Sequence, residues 1–244
     1  MIVPSISLLL PTRGRRRHVE RLLAGVAATT ADLTRLEIVA YVDCDDVESH
    51  GIAHRAIRVQ TLIRPPGATM GTMMRACYDV SRGRYVMLIN DDVVFRTAGW
   101  DLEVIRAFTR FADDVALVYG NDLDQQESRP TFPIVSRAAC DVIGSICPRG
   151  YYGLHIESHL FDIFKRLVAL GADRIVYLDD VVFEHTHYAR CEAGLKATYR
   201  HRNKVDDDVL FFSLDQDRCR SARRLHRFIT DPARLVRPAA AANI

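Results

Sequence analysis

Arg84-Tyr-Val-Met-Leu-Ile-Asn-Asp-Asp-Val-Val-Phe95 decides how this chain is read. An apolar run of strand length closes on Asn90-Asp91-Asp92, so a buried strand delivers two adjacent carboxylates to its C-terminal end. In open α/β sheets, ligands bind in the crevice beyond those carboxyl ends. The triplet therefore marks a candidate cation or ligand site. The plainer alternative is that both carboxylates cap the following turn and pair with Arg96.

Outward from this stretch, Ser5 to Leu10, Leu36 to Val42, Arg58 to Ile63 and Val115 to Tyr119 read as further strands. Between them Val19, Leu22, Leu23 and Val26 follow an i, i+3, i+4, i+7 stripe, and Met70, Met73, Met74 and Cys77 repeat it, as expected of helices packed on a sheet. Thr131 to Val135 reads as a short strand. A helix is predicted from about His155 to Leu170, with Gly171 just past its end, followed by the apolar segment Arg174 to His187. Strands alternating with helices predict an α/β fold with a mostly parallel central sheet and helices on both faces.

The chain has 244 residues, 48% of them hydrophobic and 26% charged, an ordinary globular profile for which one domain, or one with a tail, is expected. A net charge of +2 makes no case for nucleic acid. The six cysteines show no CxxC pair and no zinc-type spacing, and read as small core residues in a reducing cytoplasm. Met1 to Leu10 has neither a charged n-region nor a small-residue cleavage site, so it reads as a first strand rather than a signal. No run approaches the ~20 apolar residues needed to cross a bilayer.

The order of motifs resembles the family 2 type of nucleotide-sugar glycosyltransferase, with the GT-A fold. The features are an opening strand ending in Pro11-Thr12-Arg13, a second ending in Tyr41-Val-Asp43-Cys-Asp45-Asp46, and a helix ending in Ser81-Arg82-Gly83 that leads to Asn90-Asp91-Asp92. A helix opening with Glu157 and the run Val182-Phe-Glu-His185 follow. The resemblance implies a metal-dependent enzyme that moves a sugar from a nucleotide-diphospho-sugar to an acceptor hydroxyl. It divides the chain into a nucleotide- and metal-binding half (1–119), an acceptor half (120–215) and a basic C-terminal helix or tail (216–244).

On the same resemblance, Asp92 and His185 are the candidate ligands of Mn²⁺ or Mg²⁺, with Asp91 beside them. Such a transferase needs a divalent cation to neutralise the diphosphate leaving group, and an imidazole among oxygen ligands favours Mn²⁺. Pro11, Thr12, Arg13, Asp43, Asp45 and Arg64 at the first three strand ends, and Asp91 at the fourth, are candidate nucleotide contacts. Glu157 is the candidate general base. Helical geometry places it within the apolar arc of Ile156, Leu160, Phe164, Leu167 and Val168, and an acid on a buried face tends toward a raised pKa. Its plainer role is to stabilise the helix dipole.

Two positions depart from the family pattern: Asn90 stands for the first acid of the triplet and Ser158 for the acid after Glu157. They keep a catalytically silent nucleotide-sugar-binding or scaffold protein open as an alternative. A sugar-phosphate nucleotidylyltransferase is also open, although the Gly-rich, Lys-containing phosphate loop it needs is absent after the first strand. Asp206-Asp207-Asp208 reads either as another cation site or, more plainly, as a solvated helix cap, and Trp100 either as an acceptor platform or as packing behind the metal loop. Arg218, Arg220, Arg223, Arg224, Arg227, Arg234 and Arg237 form a basic segment, either a solvated helix face or a peripheral contact with an anionic membrane.

Overall fold

The computed structural model describes residues 5–186 and 204–231. His187, Cys191, Arg234 and Arg237 lie outside the described residues. Eight strands form one sheet: β1 (Ile6–Thr12), β2 (Leu36–Asp43), β3 (Arg58–Arg64), β4 (Tyr85–Leu88), β5 (Val93–Phe95), β6 (Leu117–Asn121), β7 (Ile134–Ser136) and β8 (Ile175–His185), in the order β3-β2-β1-β4-β7-β6-β8-β5. β3, β2, β1 and β4 are mutually parallel. β7 runs antiparallel between β4 and β6, β8 is parallel to β6, and β5 is antiparallel to β8.

β1 and β2 are buried along their whole length because helices cover both faces. On one face lie α1 (Arg16–Thr29) and α3 (Trp100–Thr109), which bury Val19, Leu22, Leu23, Val26, Val104 and Phe108. On the other lie α2 (Met70–Val80), α4 (Arg137–Ile143), α5 (Ile156–Ala169), α6 (Lys204–Ser213) and α7 (Asp215–Thr230). The α1 stripe read from the sequence is the buried set. In α2 the buried side chains are Met74, Cys77 and Tyr78, while Met70 and Met73 are half-buried. Gly71 belongs to the same face because a Cβ there would meet Pro148 O at 2.1 Å.

Three elements differ from expectation. The run Arg84 to Phe95 is not continuous, because β4 ends at Leu88 and Val93–Phe95 leaves to pair antiparallel with β8. α3 and α4 were not foreseen. Trp100 is fully buried against Phe95 and Phe183, and its indole N–H donates to Thr30 Oγ1 at 3.1 Å, so it packs behind the strand-end loop rather than offering a platform. Cys77, Cys140 and Cys147 are core residues as expected, but Cys44 is exposed.

β8 is the element that assembles the far half. Its first residues pair with β6 up to Gly120↔Leu178; the register then jumps to Asn121↔Val182, and the strand continues as the partner of β5. Gly120 permits the jump, since a Cβ there would sit 2.4 Å from Val181 O and 2.8 Å from the Phe183 ring.

Candidate functional site

Six parallel strands bring their C-terminal ends to one edge of the sheet, and the polar strand-end residues gather there. Thr12 Oγ1 donates to Asp91 Oδ2 at 2.8 Å, and Arg15 Nη1 donates to Asp91 Oδ1 at 2.5 Å. Asp91 is therefore held between the first loop and the fourth strand. Burial pushes its carboxyl above the ordinary value, and Arg15 and Thr12 only partly oppose that.

Asp92 is held differently. The β5–β8 ladder pairs Val93 with His185, and Thr186 N and Oγ1 both donate to the Asp92 carbonyl at 2.9 and 2.6 Å. This ladder sets His185 Nε2 3.5 Å from Asp92 Oδ1, longer than an ordinary hydrogen bond. Asp92 Oδ1 is buried and has no hydrogen-bond partner. Burial raises the Asp92 carboxyl, but His185 and Arg15 outweigh it and hold the group below its usual value. Arg96, the partner in the plainer reading, pairs instead with Glu184 on the other side of the ladder.

Adjacent ligands of an octahedral cation, each ~2.1 Å from it, stand about 3 Å apart. The donor types and the 3.5 Å gap between Asp92 Oδ1 and His185 Nε2 thus fit a shared hard cation with little movement. Among the described residues no group of three His, Cys, Asp or Glu side chains converges as a metal cluster. The described residues bring two potential ligands, Asp92 and His185, together at this point rather than a closed cage.

At the neighbouring strand ends, Arg13 grips two acids. Its Nη1 donates to Asp43 Oδ2 at 2.5 Å, and Nη1 and Nη2 reach the two oxygens of Asp45 at 2.7 Å each. Asp43 is buried, and its Oδ1 has no hydrogen-bond partner. Pro11 is buried within β1 opposite Tyr41. Arg64 stands beside Asp43 in register, but its guanidinium folds back onto Ile63 O at 3.1 Å.

Glu157 belongs to a second group. It lies half-buried in the first turn of α5. The buried face of that helix is Ile156, His159, Leu160, Ile163, Phe164 and Leu167, so its centre is rotated away from the arc read in the sequence. Val168 leaves the arc, and Glu157 sits on its flank. The N-cap of the helix, His155, is left-handed at φ +64°, a conformation that costs a non-glycine residue about 1 kcal/mol or more.

α6 holds that turn in place. Asp207 is fully buried, not solvated, and its carboxylate accepts the amides of Tyr152, Gly153 and Leu154 at 2.7, 3.0 and 2.8 Å. Asp208 Oδ1 meets His155 Nε2 at 2.6 Å, and the His155 ring stacks on Phe211 with centroids 4.7 Å apart.

Arg15, Asp122 and Asp207 were not among the sequence candidates. Asp122 is buried at the end of β6, where it accepts three amides of its own loop and the Thr131 hydroxyl. Its carbonyl accepts His185 N at 3.1 Å. Signals were present for the first two, the arginine run after β1 and the Asn121-Asp122 pair at a strand end.

No protein-family model matches the chain, and no curated protein sequence does. Solved structures do. The mannosyltransferase PcManGT from Pyrobaculum calidifontis, in complex with GDP-Man and Mn²⁺, superposes with a TM-score of 0.61 at 14% identity, over 93% of this chain and 70% of that one. TarS 1-349 from S. aureus gives 0.54 at 15% identity, over 73% of this chain and 59% of that fragment, less than two thirds of its length in this superposition. The same fragment with UDP-GlcNAc gives 0.56 at 16% identity, over 92% and 71%. Glucosyl-3-phosphoglycerate synthase from Mycobacterium tuberculosis, with Mn²⁺, UDP and phosphoglyceric acid, gives 0.52 at 17% identity, over 75% and 71%. The likeness shows the fold, which is the GT-A arrangement implied by the motif order.

Proposed function

We propose that this chain is a metal-dependent glycosyltransferase that moves a sugar from a nucleotide-diphospho-sugar to an acceptor hydroxyl. The observation that carries the reading is the buried, unsatisfied Asp92 Oδ1 facing His185 Nε2 at the edge where the parallel strands end. A carboxylate oxygen left without a partner costs desolvation energy that a bound cation would recover. The neighbours that hold GDP-Man or UDP together with Mn²⁺ support the same assignment.

In this reading Asp92 and His185 would hold Mn²⁺ or Mg²⁺, hard cations suited to their oxygen and imidazole donors. When bound, the cation neutralises charge that develops on the leaving diphosphate. Asp43 Oδ1 accepts a hydrogen bond from the base or ribose, while Arg13 fixes Asp43 and Asp45. Pro11 and Thr12 shape the floor, Arg64 closes the nucleotide side, and Arg15 with Thr12 keeps Asp91 in place behind the metal ligand. Glu157 takes the proton of the acceptor hydroxyl as its oxygen bonds to the anomeric carbon and the bond from that carbon to the phosphate oxygen breaks. Residues 1–119 serve nucleotide and metal, 120–215 the acceptor, and the reaction belongs to the cytoplasm.

The test is a thermal-shift panel of UDP-, GDP- and dTDP-sugars with and without Mn²⁺, because ligands that bind only the folded state raise Tm with occupancy. The reading expects one class of nucleotide sugar to raise Tm, and more strongly with Mn²⁺. No shift with any of them would overturn it. Binding without turnover would favour the silent alternative, which the Asn90 and Ser158 departures motivate.

A further inference from the structure

We propose that the α6–α7 pair docks this protein onto an anionic lipid bilayer as a peripheral membrane protein. The inference goes beyond the transfer reading and uses other residues. Both helices pack on the same side of the sheet: Leu210 and Phe211 of the first, Leu214 between the two, and Ala222 and Leu225 of the second join one apolar cluster. The two helices thus follow each other in the chain and are seated on the same side of the sheet.

The outward face of α6 is apolar. Val205, Val209 and Phe212 recur at i, i+4, i+7, one stripe of a helix, and are 68%, 63% and 73% exposed. The outward face of α7 is cationic. Arg220, Arg223, Arg224 and Arg227, at 100° per residue, centre opposite the buried Arg218, Ala222 and Leu225. These four arginines line an open groove with Leu170 and His226. Arg220 is neutralised by Asp217, and the buried Arg218 by Asp162. Arg223, Arg224 and Arg227 form no ion pair or hydrogen bond among the described residues.

Unneutralised arginines call for an anionic partner. An exposed apolar stripe on the preceding helix selects a bilayer over a dissolved polyanion, because only a lipid surface takes charge at its headgroups and apolar side chains just beneath. Among the described residues no helix is long and apolar enough to cross a membrane, so the contact is peripheral.

The test is sedimentation of the full chain with vesicles of phosphatidylcholine alone or with 30% phosphatidylglycerol, at low and high salt. Wild type is expected to pellet with the anionic vesicles only and to be released by salt. The triple variant R223E/R224E/R227E is expected to bind them about a hundredfold more weakly, and V209S/F212S to weaken binding even at low salt. Unchanged circular dichroism and Tm show that each variant folds. Equal binding to both vesicle types, no binding to either, or undiminished binding by the triple variant would overturn the proposal. So would capture by soluble polyphosphate without vesicle binding, or a dimer in ultracentrifugation that V209S/F212S dissolves while vesicle binding persists.

Discussion

His185 Nε2 stands 3.5 Å from Asp92 Oδ1 because Val93 and His185 face each other in the β5–β8 ladder. Two residues 93 positions apart in the chain are thereby fixed by backbone pairing rather than by their own side chains. The imidazole is further steadied edge-on by Phe132, with ring centroids 5.3 Å apart.

If the pair is a metal site, either His185→Ala or Asp92→Asn removes half of what the protein contributes. Titration calorimetry with Mn²⁺ in the presence of the donor's nucleoside diphosphate is expected to show affinity reduced by more than the ~10- to 100-fold that outer-shell substitutions cost. Unchanged affinity in His185→Ala would remove that residue from the shell.

Glu157→Gln keeps shape and removes the base. Transfer is expected to slow by roughly 10²- to 10⁴-fold, while nucleotide affinity measured by calorimetry stays at the wild-type value. Near-normal turnover would leave Glu157 only a helix-dipole role.

Asp207 sets the turn before Glu157 through three amides and a buried charge. Asp207→Asn turns one accepting oxygen into a donor against those amides. Urea unfolding is expected to show a loss of about 2–3 kcal/mol, and acceptor KM to rise with donor affinity preserved. A variant as stable as wild type would contradict the clamp.

His159 gives the molecule a pH dependence. Burial, and then the charge of Arg218, push its imidazole down to about 4, against about 6.5 in an unfolded chain. Between those values the unfolded chain binds a proton that the folded one refuses. The stability is thus fully present above about pH 6.5 and lost as pH falls through about 4, by on the order of 3 kcal/mol. Urea midpoints from pH 7 to pH 4.5 are expected to fall in wild type and to fall less in His159→Gln, which keeps an acceptor for the Tyr151 hydroxyl 3.0 Å away. Parallel slopes would contradict this account.

What was legible in the sequence was local. Apolar runs of strand length gave the parallel strands, and the Val19–Val26 stripe gave the buried face of α1. Strand ends gave Thr12, Arg13, Asp43, Asp91 and Asp92, because in a parallel sheet a strand end is already a position in space. The rest depended on pairing across the chain. Three residues are too short to declare β5 a separate strand, and no spacing shows that β8 shifts register beside Gly120. Asp207 looked like a surface cap because its three amide partners lie 53 to 55 residues earlier. The arc around Glu157 included Val168 and left out His159 and Ile163; a buried histidine paired with Tyr151 rotates the whole face.

The central claim is that the Asp92–His185 edge serves transfer from a nucleotide sugar. It is tested most directly by following release of nucleoside diphosphate from the nucleotide sugar that stabilises the protein, with Mn²⁺, and with Mn²⁺ replaced by excess chelator, in wild type and Asp92→Asn. The account predicts metal-dependent release by wild type that falls by at least about 10²-fold in the variant. Release that is unaffected by the chelator and by the substitution would contradict it.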